Sequence, residues 1–264
     1  MKFSFMSFSC PEATLAEMLE MANRYGYEGI EPRAQAQHRH GVELETSAAE
    51  RRSIRKAFAD SGIECACIAT SIQCCKVDAA KRAEQVALTR RFIELAADIG
   101  CARVRIFGGK PDADISMDDA IRYAAEGLSL IKSAAEQAQV AVCMETHDHF
   151  MRADDCARAV RMAKSPFIRV NWDIMHPYTK GMTIEQAFAE VRDLVSHCHI
   201  HDGRYDEKRS PTLALMGEGK IPYRTAVRLL NSIRYDGYLS GEYIKAWPPE
   251  VVLPHDIKVL RSYL

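Results

Sequence analysis

The chain has 264 residues, 47% of them hydrophobic, with 35 basic and 36 acidic side chains and a net charge of −1. That length fits one α/β barrel or two smaller domains, with a core large enough to need neither disulfides nor a structural metal. The charge balance excludes a general nucleic-acid binder, and no run of about 18 apolar residues exists to cross a membrane.

The N-terminal "MKFSFMSFSC" lacks the long apolar segment and small-residue cleavage site of a signal peptide and reads as a first strand. Further β-rich runs follow near residues 28–32, 64–70, 103–107, 139–145, 168–173, 197–202 and 238–242, the first covering 2–8. Helical patterns fill the intervals. Ser47 with Glu50 makes a capping box, as does Thr183 with Gln186. Gly26, Gly62 and Gly100 stand where a helix should stop before the next strand. In 183–195 the apolar residues Ile184, Ala187, Phe188, Val191, Leu194 and Val195 form a helical stripe.

Eight strands alternating with about eight helices is the count of a single (β/α)8 TIM barrel over residues 1–264. A doubly wound open sheet has the same alternation, but no glycine-rich fingerprint follows the first strand. The long irregular stretches, 33–46 and 203–221, both follow strands, which in a barrel places them on the active-site face. The nine cysteines include no CxxC pair and several sit in apolar runs, as expected in a reducing cytoplasm. The adjacent Cys74 and Cys75 are poorly placed to bridge.

Polar residues mark the last four strands. Glu145 ends the strand in "VAVCMETHDHF", Asp173 ends "IRVNWD", His199 lies in "SHCHIHDGR" and Glu242 ends "GYLSGE". A barrel brings these strand ends together. Three carboxylates and one nitrogen suit a divalent cation, Mn²⁺ or Mg²⁺ above all, with Co²⁺ and Zn²⁺ also compatible. A metal there can polarise a hydroxy-carbonyl sugar, and Glu145 and Glu242 can remove and return the α-proton. His176, three residues after Asp173, stands beside the metal and can hydrogen-bond a substrate oxygen. "HCHIH" offers His197, His199 and His201 on one side of a strand, so His201 competes with His199 as ligand. Arg204 is a candidate for a substrate hydroxyl or phosphate, and Glu31, ending the second strand, for the pocket. His147 reads as a supporting residue, Lys110 and Lys245 as loop residues with a chance of touching ligand, and His38 and His40 as solvated.

The segments "GYEGIEPR", "METHD", "VNWDIMHP", "HCHIHD", "MGEGKIPY" and "GYLSGEY" together resemble the xylose isomerase-like TIM-barrel superfamily, in its branch of sugar and sugar-phosphate isomerases and epimerases. The resemblance covers nearly the whole chain. It implies one metal bound by Glu145, Asp173, His199 and Glu242, since the family ligand lies three residues before an aspartate, here Asp202. It also implies a substrate contact from His176, proton transfer by the paired glutamates, and a small sugar or sugar phosphate as partner; the charge balance and the lack of a long apolar run leave no nucleic acid or membrane partner expected. Dimers and tetramers are common among such families, which leaves room for a homo-oligomer. Three other readings compete: a dehydratase of an inosose-like keto-cyclitol, an apurinic-endonuclease-like enzyme, and a non-catalytic sugar-binding barrel. The endonuclease branch needs additional histidines at the ends of strands two to four, where "GIEPR", "IATSIQCC" and "VRIFGGK" have none.

Overall fold

The computed structural model describes residues 1–205, 211–244 and 246–264. Its strands are β1 (Lys2–Met6), β2 (Gly29–Glu31), β3 (Glu64–Cys65), β4 (Ile68–Gln73), β5 (Arg103–Phe107), β6 (Ala141–Glu145), β7 (Ile168–Asp173), β8 (Val195–Ile200), β9 (Gly203–Tyr205), β10 (Pro211–Leu213) and β11 (Tyr238–Gly241). The helices are α1 (Leu15–Tyr25), α2 (Ala48–Ser61), α3 (Ala79–Ile99), α4 (Met117–Ala138), α5 (Ala153–Ala163), α6 (Met175–Thr179), α7 (Ile184–Val191), α8 (Tyr223–Ser232) and α9 (Pro249–Arg261). No described helix is long and apolar enough to cross a membrane.

The main sheet runs β3-β2-β1-β11-β8-β7-β6-β5-β4, and each of its pairings is parallel. The third strand of the sequence reading is split: β3 pairs with β2, and β4 pairs with β5. The two halves close the ring. Arg33 bridges Ala69 in parallel, and the Ala69 amide donates to the Pro32 carbonyl at 3.0 Å. Pro32 has no N–H of its own, so it joins this seam only as an acceptor. The result is a (β/α)8 barrel, with β3 and β4 sharing one strand position.

The caps read from the sequence are in place. Ser47 and Thr183 each accept from the backbone of their capping-box partner, and Thr14 with Glu17 adds a third box. Gly26, Gly62 and Gly100 end their helices in the left-handed region, at φ 83°, 70° and 82°. The stretch 203–221 is less irregular than expected, because β9 and β10 pair as an antiparallel hairpin. Its base is held by the buried Asp202. That carboxylate accepts from the amides of Gly203 (2.8 Å), Gly217 (2.9 Å), Gly219 (3.0 Å) and Ile221 (3.3 Å). A Cβ on Gly219 would fall on the Asp202 carboxylate, so only glycine admits this closure. All nine cysteines are buried free thiols.

Asp256 on α9 fastens the far side of the same turn by accepting from the Met216 amide at 3.2 Å. Burial pushes its carboxyl from 3.8 up to about 7, against the pull of the Met216 amide and the Tyr243 hydroxyl. The unfolded group ionises near its ordinary value, whereas the folded one keeps its proton to about 7. Its contribution to stability is therefore full below the unfolded value and is lost as pH rises toward 7. At about 1.4 kcal/mol per pH unit the loss reaches roughly 4 kcal/mol. Asp256→Asn is expected to flatten this decline and raise the thermal midpoint at pH 8 by several degrees. Melting both proteins from pH 4 to 8 checks it; parallel curves would refute it.

Candidate active site

Side chains alternate along each strand, so one face of the barrel wall packs on the helices and the other faces the axis. Phe3, Phe5, Ile30, Val104, Val142, Val170, Trp172 and Leu239 belong to the apolar shell. The axial set is polar: Glu31, Arg105, Glu145, Asn171, Asp173, His197, His199, Ser240 and Glu242 are all buried. His197 and His199 on β8 reach Glu31 on β2, three places away in the strand order, so these side chains meet inside the barrel.

Glu145, Asp173, His199 and Glu242 each offer a ligand atom, and these atoms lie within 4.8 Å of one another. His199 is central. Its Nδ1 is 2.7 Å from Glu145 Oε1 and 3.0 Å from Glu242 Oε2, and its Nε2 is 3.0 Å from Glu31 Oε1. Asp173 is oriented by its own chain. Its Oδ1 accepts from the amides of Met175 (2.9 Å) and His176 (3.2 Å), opening α6. That leaves Oδ2 for the site, 2.8 Å from His201 Nε2 and 3.5 Å from His176 Nε2.

Burial would raise the Glu145 carboxyl, but the Arg105 guanidinium and the His199 imidazole outweigh it and hold it at about 2. Glu242 is likewise held at about 2, burial being outweighed by His199. Asp173 lies well below the ordinary range because His176 and His201 overcome its burial. His199 is driven up in spite of burial by Glu31, Glu145 and Glu242. His147 rises to about 9; burial opposes this, but its bond to Asp148 and the charge of Glu145 prevail.

The donor set fits a divalent cation. Glu145 Oε2 and Glu242 Oε2 are buried acceptors without a well-aligned hydrogen bond among the described residues, although Arg105 Nε lies 3.3 Å from the first and His199 Nδ1 3.0 Å from the second. Buried acceptors are rarely left so, and an oxygen- and nitrogen-binding ion would satisfy both. His201, the competing ligand, faces Asp173 and forms with it and His176 a second cluster that shares Asp173 with the first.

Other candidates lie elsewhere. Both oxygens of Glu31 are taken by imidazoles, and His199 stands between it and the carboxylates of Glu145 and Glu242. Arg204 is exposed on β9 and its Nε donates to the Glu218 carbonyl at 3.1 Å; no contact among the described residues joins it to the cluster. Lys110 is exposed, and Lys245 lies outside the described residues. His38 and His40 are not solvated as expected. His38 is partly buried with Nδ1 2.8 Å from Ser7 Oγ, and buried His40 accepts from the Val42 amide at 3.0 Å.

Arg105 was missed. It is fully buried, its Nε lies 3.3 Å from Glu145 Oε2, its Nη1 donates to the Thr70 carbonyl at 2.7 Å, and its guanidinium stacks over Phe107. The signal was the alternation of charged and apolar residues in "RVRIF", which puts Arg103 and Arg105 on one face.

A family model for the xylose isomerase-like TIM barrel matches residues 19–263. The chain belongs to the xylose isomerase-like TIM-barrel family. Among curated proteins it is 30% identical over 98 residues to fructoselysine 3-epimerase of Escherichia coli O157:H7, covering 37% of this chain and 34% of that protein. The match thus spans about a third of that relative's length. Two solved structures share the fold across the whole chain. The IolI protein with a bound zinc atom superimposes with a TM-score of 0.84 at 16% identity, covering 100% of this chain and 96% of that one. The probable 3-DHS dehydratase AsbF of Bacillus anthracis gives 0.80 at 18%, covering 99% of each. At these identities the two likenesses establish the barrel alone.

Proposed function

We propose that the protein is a metal-dependent sugar isomerase or epimerase that moves a proton α to the carbonyl of a ketose or sugar phosphate. The observation that carries this is the convergence of Glu145, Asp173, His199 and Glu242 from four neighbouring strands on one buried point. A divalent ion held there would polarise the substrate carbonyl and acidify the neighbouring C–H. Manganese or magnesium suits the three carboxylates best, and zinc and cobalt are compatible.

Glu145 and Glu242 are ionised at neutral pH and so are competent to accept a proton. One removes it from the substrate carbon and the other returns it from the opposite side. Arg105 keeps Glu145 charged and fixes its Oε2 side. His176, almost wholly buried beside Asp173, donates to the substrate oxygen on which charge develops. Arg204 would meet a more distant hydroxyl or phosphate. The similarity to fructoselysine 3-epimerase supports epimerisation at a carbon next to a ketone.

A second reading is a keto-cyclitol dehydratase, which the same pair of buried carboxylates would serve. It shares the first proton removal and then expels a hydroxyl group as water. Incubating ketoses, sugar phosphates and keto-cyclitols in D₂O separates the two. An epimerase returns an isomer carrying solvent deuterium at the reacting carbon. A dehydratase returns a product lighter by one water. A panel that yields neither a deuterated isomer nor a product lighter by one water would refute both.

A further inference from the structure

The geometry points to Glu31 as a positioning residue that decides which nitrogen of His199 faces the carboxylate cluster, with His197 holding Glu31 in place. This rests on the reading of the cluster as a metal centre. A neutral imidazole has one N–H and one lone pair, and the partner of one nitrogen fixes the role of the other. In His199 the two nitrogens face opposite partners: Nδ1 faces Glu145 and Glu242, and Nε2 faces Glu31 Oε1 at 3.0 Å. Carboxylates accept and do not donate, so the ring without an ion holds a hydrogen on each nitrogen; an ion bound by Glu145 and Glu242 would take the place of the one on Nδ1, and the Glu31 contact would keep the other on Nε2. The lone pair of a neutral His199 then sits on Nδ1, among Glu145, Asp173 and Glu242.

Glu31 is itself fixed. Its Oε2 lies 2.8 Å from His197 Nε2, and both residues are fully buried. His197 stands two residues before His199, on the same face of β8. The three side chains form a line, His197–Glu31–His199, inside the barrel. Glutamine cannot replace Glu31 in it. Two imidazole N–H groups face position 31, and a glutamine side chain has one carbonyl oxygen to offer them. With its NH₂ toward His199 it would favour the hydrogen on Nδ1, and with its NH₂ toward His197 it would give up the N–H···O contact that holds side chain 31 in place.

Outer partners of this kind are worth roughly 10–100-fold in metal affinity. Glu31→Gln is expected to weaken Zn²⁺ and Mn²⁺ binding by about that factor, read by chelator competition. Turnover of this variant should recover at high metal concentration, which a purely structural defect would not do. In Zn²⁺-loaded wild-type protein with ¹⁵N-labelled histidine, long-range proton–nitrogen correlation should show the His199 proton on Nε2. Folding is followed by circular dichroism, and the wild-type spectrum needs no variant. A proton on Nδ1, or a folded Glu31→Gln protein with unchanged affinity, overturns the role of Glu31. A wild-type protein that binds no divalent ion overturns the metal reading as well.

Discussion

Glu145→Gln and Glu242→Gln are each expected to lower kcat by roughly 10²–10⁴-fold, the range for loss of a positioned general acid or base. Glutamine keeps the shape and one ligand oxygen but accepts no proton near neutral pH. The variants should differ in two ways. First, if the glutamates serve opposite faces, one variant should still exchange a substrate proton with D₂O while failing to complete the reaction. Second, Glu145→Gln removes the carboxylate 3.3 Å from the buried Arg105 and leaves that charge without its partner. Breaking a buried pair in this way costs about 3–5 kcal/mol. Glu242 is slightly exposed and its ion contact is with His199, so Glu242→Gln should melt closer to wild type. Metal content must be measured in both, since a lost ligand mimics a lost base. Near-normal rates in two metal-loaded variants would remove the two-carboxylate mechanism.

Removing divalent ions with a chelator is expected to abolish turnover and lower the thermal midpoint, both restored by Mn²⁺ or Mg²⁺. Without the ion, Glu145, Asp173 and Glu242 crowd a buried point and rely on His199, His201 and Arg105 for compensation. An ion at 100 times its Kd stabilises the folded state by about 2.7 kcal/mol. For a chain of this size each kcal/mol moves the midpoint by roughly 2–4 °C, so the shift should be about 5–10 °C. Activity is the second, independent readout. Full turnover with far less than one ion per chain would sink the metal reading.

Much of this architecture was legible because its signals are local. The capping boxes at Ser47 and Thr183 and the left-handed Gly26, Gly62 and Gly100 are decided within a few residues. Glu145, Asp173 and Glu242 stood out as charges closing apolar runs. Other features depend on partners far along the chain. Glu31 meets His197 across 166 positions, and no spacing rule foretells which inward residues touch. Arg105 was overlooked because a fully buried arginine is rare and the default reading of a charge is a solvated one. The break between β3 and β4 hides in the continuous run "IECACIATSI", since a change of pairing partner leaves no mark on composition. His40 was misjudged because a histidine in a polar loop looks wet until the fold covers it.

The alternation of faces along the barrel wall bears on how such a chain can vary. On β8, His197 and His199 lie inside while Cys198 and Ile200 pack in the apolar shell; on β6, Glu145 lies inside while Val142 and Met144 pack outside. Because the side-chain period is two, inserting one residue within a strand exchanges the sets, sending imidazoles and carboxylates among the helices and apolar groups to the axis. Lengthening by two keeps the facing but moves the chemistry one layer along the axis. A single insertion within a strand is therefore tolerated only where a bulge absorbs it, as the register shift between β7 and β8 does. Divergence in substrate must come from point replacements at inward positions or from the segments beyond the strand ends, where chain length is not tied to a reading frame of two.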